Sequence, residues 1–356
     1  MKLIHCADVH LDSPMESNLN TDRARERKLE LRETFTRLVR EAERVGAEAF
    51  LIAGDLFDSE RVTKSTATYV LDLIRSTPAV RFFYLAGNHD KGSVLRSESE
   101  LPENLYTFGD GWTSYSLGEN VVLTGSERPN PDTLSLDSAA INLLILHGQE
   151  RSGKGKGQDA ETIYFGKYKK RGIDYMALGH IHEYRTAQID PRCVACYSGC
   201  LEGRGFDECG EKGYVLIEIE NGKLSHTFVP LARRRLHELR CDISEAYTAL
   251  EMERCVTQAI DGIDRGDMVK VILTGKVSPD AQKDTEHLRR VLSERFYFAK
   301  LKDESGILIR YEDYRNDISL KGEFVRRVMA SNLKEPEKER VIACGLRVLA
   351  GEEVGL

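Results

Sequence analysis

The amino-acid sequence predicts a mixed α/β fold with a large first domain and a smaller second one. Short apolar runs alternate with longer segments of helical period through the first 230 residues. The alternation resumes on a smaller scale after three arginines, Arg233, Arg234 and Arg235. The chain has 356 residues, more than one ordinary core holds, and its 41% hydrophobic and 31% charged residues are a globular balance.

Five apolar runs have strand length: residues 3–6, 49–53, 81–86, 141–146 and 175–178. Between the first two, Leu31, Phe35, Leu38, Ala42 and Val45 recur at three- and four-residue steps, which predicts a helix over residues 22–45 ended by Gly46. A second helix, over 63–76, carries Val70, Leu71, Leu73 and Ile74 and stops before Pro78. Residues 213–220 read as a strand, followed by a turn at Asn221 and Gly222 and a strand through Phe228. Beyond the arginines the order is strand, helix (246–261), strand (268–276), helix (280–295) and two short strands, a small α+β pattern. The last forty residues read as two short amphipathic helices, with Asn332 closing the first and Pro336 in the first turn of the second.

The net charge is −7, from 51 basic and 58 acidic residues. A general basic coat is thereby excluded, and any nucleic-acid contact has to use local patches and bound cations. The opening stretch MKLIHCADVHLDSP is interrupted by His5, Asp8 and His10, unlike a signal peptide, and no apolar stretch reaches transmembrane length. Eight irregularly spaced cysteines suggest reduced thiols in a cytoplasm. Cys193, Cys196, Cys200 and Cys209 cluster in the manner of zinc ligands, but only the first pair has tight spacing, so buried thiols are the preferred reading.

Each of the five runs ends in residues that ligate metals: Asp8-Val9-His10, Gly54-Asp55-Leu56-Phe57-Asp58, Gly87-Asn88-His89-Asp90, His147-Gly148 and Gly179-His180-Ile181-His182. Loops at the carboxyl ends of strands gather at one sheet edge, so carboxylates, an amide and imidazoles should converge there. That donor mixture suits Mn²⁺, Fe²⁺ or Zn²⁺ better than Ca²⁺ or Mg²⁺, which prefer all-oxygen shells. His180 and His182 lie two apart, so on an extended segment both point to one side and can meet two adjacent metals. Any one of these motifs arises by chance; five in order, each after a strand, do not.

The ordered set resembles the calcineurin-like metallophosphoesterases. The resemblance implies a two-layer β-sandwich with helices outside and two divalent metals at the strand ends. It implies that Asp8, His10 and His182 hold one metal, that Asn88, His147 and His180 hold the other, and that Asp55 bridges them. His89 would be catalytic, facing the substrate phosphate to stabilise the transition state or protonate the leaving oxygen, with Asp58 orienting it. Two dications about 3.5–4 Å apart would lower the pKa of a bridging water, whose hydroxide attacks phosphorus in line. Mn²⁺ is the expected ion, with Fe²⁺, Zn²⁺ or Mg²⁺ as alternatives. Cys6 reads as a core residue of its strand and not as a nucleophile.

Protein phosphatases of this superfamily carry arginine directly after the second aspartate of GD-x-x-D, and GNHE in the third motif. Here Ser59 and Glu60 follow Asp58, and the third motif is GNHD. IHCADVHLDSP, GDLFD, YLAGNHD, GHIH and YSGCLEGRGFDECGEKGYVLIEI (197–219) are instead similar to the SbcD-type DNA-repair nucleases and their YhaO-like bacterial relatives, which usually have serine at the place of Cys200. Specific motifs cover residues 1–230; the remainder matches only in order of elements. The resemblance implies a catalytic domain over 1–232, a small α+β capping domain over 233–316 that selects DNA ends, and a C-terminal helical segment over 317–356. That segment would dock on a coiled-coil (SMC-like) ATPase. A homodimer is implied as well, with the helix over 63–76 a candidate for its interface.

The helix over 319–331 places Leu320, Phe324 and Val328 at four-residue steps, with Val325 and Met329 adjacent. Such a stripe suits docking if exposed and otherwise packs on its own chain. Candidate DNA contacts are Arg204 and, in the glycine-lysine loop 152–158, Lys154 and Lys156. Other basic clusters, Lys167 with Lys169 to Arg171, Arg233 to Arg235, and Arg326 with Arg327, are of a kind that usually forms solvated faces. The expected function is a two-metal nuclease acting on DNA ends in double-strand-break repair, cytoplasmic and without a membrane partner. The alternatives are a phosphodiesterase or phosphatase for small phosphoesters, which the acidic charge favours, and a non-catalytic scaffold for DNA or an ATPase. The complete set of candidate ligands argues against the scaffold.

Overall fold

The computed structural model describes residues 1–16, 19–59, 62–90, 100–151 and 162–349. The chain forms two compact units, Met1–Arg235 and Leu236–Leu356. In the first, β1 (Lys2–Cys6) is followed by α1 (Thr21–Val45), β2 (Ala49–Ala53), α2 (Lys64–Arg75), β3 (Arg81–Leu85) and β4 (Leu105–Thr107). Next come β5 (Thr113–Gly118), β6 (Val121–Gly125), β7 (Ile141–His147), the short pair β8 (Gln149–Glu150) and β9 (Thr162–Ile163), β10 (Tyr175–Gly179), β11 (Arg185–Gln188) and β12 (Val194–Tyr197). The hairpin of β13 (Gly213–Glu220) and β14 (Lys223–Pro230) completes two six-stranded sheets, ordered β14-β13-β1-β2-β3-β4 and β11-β12-β10-β7-β6-β5.

The central strands are mostly apolar because both of their faces are covered, with His5 of β1 and Asn142 of β7 among the buried polar exceptions. Leu3, Leu51 and Phe83 of the first sheet meet Leu143, Ile145 and Tyr175 of the second in the core between them. The alternate residues Ile4, Phe50, Ile52 and Phe82 turn the other way, onto Phe35 and Leu38 of α1 and Val70 and Ile74 of α2. The outer face of the second sheet is covered by irregular segments through Leu134, Tyr168 and Ile173, so among the described residues the helices of this unit flank one sheet only. Gly46 ends α1 at φ 70°, and Asn20 caps its start by accepting from the Arg23 backbone N–H.

A buried ion network ties α1 to the segment after β12. Arg27, 1% exposed, donates to Glu30 (2.5 Å), Glu202 (3.0 Å) and the Gly203 carbonyl (3.0 Å). Arg233 pairs with Glu30 and Glu33, Arg234 with Glu30, and Arg235 with Glu211. The three arginines are therefore committed to carboxylates of the first unit, which is why the boundary falls after them and not before. Burial alone would raise the Glu30 carboxyl, but hydrogen bonds from Arg234 and Arg27 hold it below the usual carboxylate range. A carboxyl lowered by folding stabilises above its unfolded pKa of about 4.3, and that contribution is lost as pH falls through the value toward the folded one. Urea midpoints of the wild type and Glu30→Gln are expected to differ most near neutral pH and to converge as the solution is acidified through that range; a constant gap would refute the assignment.

The second unit runs β15 (Leu236–Asp242), α3 (Ala249–Ala259), β16 (Met268–Thr274), β17 (Lys276–Val277), α4 (Thr285–Arg295), β18 (Phe298–Asp303), β19 (Gly306–Ile307), α5 (Leu320–Met329) and α6 (Glu335–Leu349). Its sheet β15-β16-β18 is wholly parallel, with Met252, Val256, Leu288 and Leu292 of α3 and α4 in its core. Val325 is buried, and Phe324, Val328 and Met329 pack with Ile342 and Leu346 of α6 and with Ile307, Ile309 and Tyr311. Of the two alternatives for the stripe, packing on its own chain is the one observed, leaving Leu320 70% exposed. Segment 317–356 shares this cluster with residues before 316 and does not stand as a third domain. No described helix is long and apolar enough to cross a membrane.

Candidate metal centre

Beyond β1 and β2 the chain continues as two extended loops laid side by side. The Asp8 N–H donates to the Gly54 carbonyl (3.1 Å), His10 to Asp55 (3.0 Å) and Leu11 to Leu56 (2.9 Å). To turn their side chains inward, Asp8, His10 and Asp55 each take φ 51°, and His180 takes 97°. Left-handed backbone costs a non-glycine residue about 1 kcal/mol or more, so four of the expected ligands carry such strain. Asp90, fully buried, accepts from the Gly87 (2.6 Å) and Leu56 (2.8 Å) N–H groups and so pins the third loop onto the second.

Gly54 lies at φ 91°, and a Cβ there would stand 2.2 Å from His147 Nδ1. Gly54→Ala is expected to displace His147 and cost about 2 kcal/mol or more of stability, from left-handed strain plus overpacking. An unchanged urea midpoint would contradict this.

The two sheets meet at these loops. The His180 N–H, after β10, donates to both oxygens of Asp8 (2.9 and 3.0 Å), while His147 Nδ1, on β7, donates to the Ala53 carbonyl of β2 (2.9 Å). Asp8, His10 and His182 bring three ligand atoms within 4.8 Å of one another. Asn88 Oδ1 lies 2.9 Å from His147 Nε2 and 3.3 Å from His180 Nδ1. Asp55 Oδ2 stands between the two groups, 3.3 Å from His147 Nε2 and 3.9 Å from His10 Nε2. All seven residues expected as ligands therefore converge.

The chemistry of these donors fits a pair of cations. His147 has its Nδ1 proton on a carbonyl, so its Nε2 lone pair, Asn88 Oδ1 and Asp55 Oδ2 are three acceptors directed at one another. His182 Nδ1 is hydrogen-bonded to Glu208 Oε1 at 2.6 Å, which leaves its Nε2 lone pair directed at His10 Nε2 across 3.3 Å; His10 Nδ1 lies 3.2 Å from Asp58 Oδ1 without hydrogen-bond geometry. Acceptors opposed to acceptors repel unless a proton or cation lies between them. Without metal, protons take that place. Burial pushes the Asp8 carboxyl up to about 6. Burial would also raise Asp55, but the hydrogen bond and charge of His147 hold it well below the usual range. Burial would lower His147, but Asp55 pushes it up to about 9. Dications bound here would displace such protons.

His89 is exposed at the rim, with ligand atoms of His10, Asp58 and His89 within 4.8 Å of one another. Its backbone N–H donates to Asp55 Oδ1 (3.0 Å), and its Nδ1 lies 3.1 Å from the Asp58 carbonyl. Asp58 thus contacts His89 through its backbone, not through the carboxylate expected to orient it. That carboxylate turns to His10 and to Arg204 Nη1 (2.8 Å). Arg204, expected at substrate, has its guanidinium engaged by Asp58 and Glu208. Glu208 was not foreseen, because it lies 26 residues from His182 in a loop without periodic signal.

Lys154 and Lys156 lie outside the described residues. Arg326 and Arg327 pair with Glu323. Cys196 lies between the sheets and Cys193 in the outer cluster, while Cys200 is beside Glu208 and the His182 carbonyl; all eight thiols are free, and no metal-binding group among the described residues includes one.

Fold and site together carry the candidate ligands of a dinuclear metal centre, and sequence comparison gives the family. The profile of the calcineurin-like phosphoesterase family matches residues 1–184, and the chain belongs to that family. It is 25% identical over 269 residues to the uncharacterised metallophosphoesterase YhaO of Bacillus subtilis, covering 69% of this chain and 64% of that protein. The match thus spans just under two thirds of YhaO. It is 26% identical to the DNA double-strand break repair protein Mre11 of Methanopyrus kandleri, across 99% of this chain and 82% of that one. Among solved structures, a dimetal phosphatase from Danio rerio is similar with a TM-score of 0.40 and 9% identity, over 64% of this chain and 95% of that one.

Proposed function

We propose that the protein is a Mn²⁺-dependent phosphodiesterase that acts on DNA ends as a nuclease of double-strand-break repair. The observation that carries the DNA assignment is the match to a DNA double-strand break repair protein across 99% of this chain, second unit included. Asp8, His10 and His182 would hold one ion, Asn88, His147 and His180 the other, and Asp55 would contact both. Two dications so held supply a water of lowered pKa and a clamp on the phosphate oxygens. His89, its Nδ1 proton held by the Asp58 carbonyl, would as the imidazolium give its Nε2 proton to the leaving oxygen and be left as the neutral Nδ1–H form. Asp90 keeps the loop that carries Asn88 and His89 against that of Asp55.

A homodimer and a coiled-coil ATPase partner belong to the same reading. With the α5 stripe covered, such a partner would meet the exposed Ile318 and Leu320 and the outer side of α6. Free thiols throughout suit a reducing cytoplasm. A second reading, hydrolysis of small phosphoesters, is favoured by the pairing of Arg233, Arg234 and Arg235 with carboxylates, which removes one basic patch from DNA. A paired assay with Mn²⁺ decides between them, using end-labelled linear DNA and bis-p-nitrophenyl phosphate. Shortening of the DNA is the expected result; turnover of the small ester with intact DNA would favour the second reading.

A further inference from the structure

We propose that Arg204 is a positioning residue that aims both imidazoles of the first donor group, with Glu208 as its partner, a role that rests on the two-metal reading above. His10, Asp58, Arg204, Glu208 and His182 form a ring. His10 Nδ1 meets Asp58 at 3.2 Å, Asp58 meets Arg204 at 2.8 Å, Arg204 Nη2 meets Glu208 at 2.9 Å, and Glu208 meets His182 Nδ1 at 2.6 Å. The ring closes across the two opposed Nε2 atoms, 3.3 Å apart, where the ion belongs. Glu208 draws the His182 proton to the Nδ1 side and Asp58 places its carboxylate beside His10 Nδ1 without a hydrogen bond, and among the five Arg204 alone touches both carboxylates; its Nη2 also lies 3.2 Å from His182 Nδ1. Its own backbone N–H donates to Glu208 Oε2 (2.8 Å), which fixes the direction of the guanidinium. Hydrogen bonds of this charge-assisted kind orient a ligand more firmly than neutral ones.

The hold is selective. His147, of the second group, is oriented by the Ala53 carbonyl and owes nothing to Arg204. Loss of Arg204 should therefore weaken one ion and spare the other. The sign separates positioning from simple charge. Removing a cation beside a metal site should tighten binding if only Coulomb repulsion is at work, whereas loss of aim should weaken it.

The test is a stepwise Mn²⁺ titration of the full-length, metal-free protein, with unbound ion followed by its electron paramagnetic resonance signal. The wild type is expected to take up two ions. Arg204→Ala and Glu208→Ala are each expected to weaken one of them about 10–100-fold and leave the other unchanged. Glu208→Gln keeps an acceptor for His182 and should restore part of the loss. Tighter binding, equal weakening of both ions, or unchanged affinities with a raised KM for bis-p-nitrophenyl phosphate would each overturn the role; the last would return Arg204 to the substrate. A wild type that binds fewer than two ions would overturn the two-metal reading itself, before any variant is compared.

Discussion

Asp55→Ala is expected to strip at least one metal and to abolish hydrolysis. Asp55 is 2% exposed, and its Oδ2 stands between His147 and His10, one from each donor group. Alanine leaves the His147 and Asn88 acceptors opposed with no carboxylate to complete the charge on a cation. Metal-ion polarisation supplies several kcal/mol to phosphoryl transfer, so turnover should fall by at least about a thousandfold. Elemental analysis of the purified variant should find fewer than two ions per chain. Undiminished occupancy would be fatal to the bridging position.

His89→Gln should have nearly as large an effect on turnover with none on metal content. His89 is not among the seven expected ligands, although its ring comes within ligand range of His10 and Asp58, and its Nδ1 is held by the Asp58 carbonyl. Glutamine can keep that contact but cannot deliver a proton near neutral pH, and general acid catalysis contributes about 10²–10⁴-fold. The variant is expected to hold two ions and lose turnover in that range. A lost ion would make His89 a ligand; retained turnover would remove it from the reaction.

The sequence disclosed the strands that are covered on both faces. β1, β2, β3, β7 and β10 are predominantly apolar because sheet and helix, or sheet and loop, bury both sides. The edge strands β5 and β11 (TSYSLG and RTAQ) are largely open to solvent, so no apolar run marks them. The ligands were legible for a related reason: each follows a readable strand directly, often beside a glycine, as Gly54 precedes Asp55. What surrounds them was not. Arg204 and Glu208 are four residues apart, but they meet the carboxylate of Asp58, 146 residues from Arg204, and His182 only in three dimensions. Which oxygen of Asp58 serves His89 is a matter of backbone direction, to which residue identity is blind. Arg233 to Arg235 showed their charge in the sequence, but Glu30 and Glu33 on α1, which neutralise Arg233 and Arg234, lie about 200 residues away.

The two-ion hydrolytic centre is tested most directly by measuring bis-p-nitrophenyl phosphate turnover against equivalents of Mn²⁺ added to metal-free protein. Because Asp55 links the two donor groups and neither alone clamps both attacking and leaving oxygens, activity should stay low through the first equivalent and reach its plateau at the second. Full activity at one equivalent, or activity that survives complete removal of metal, would contradict the account.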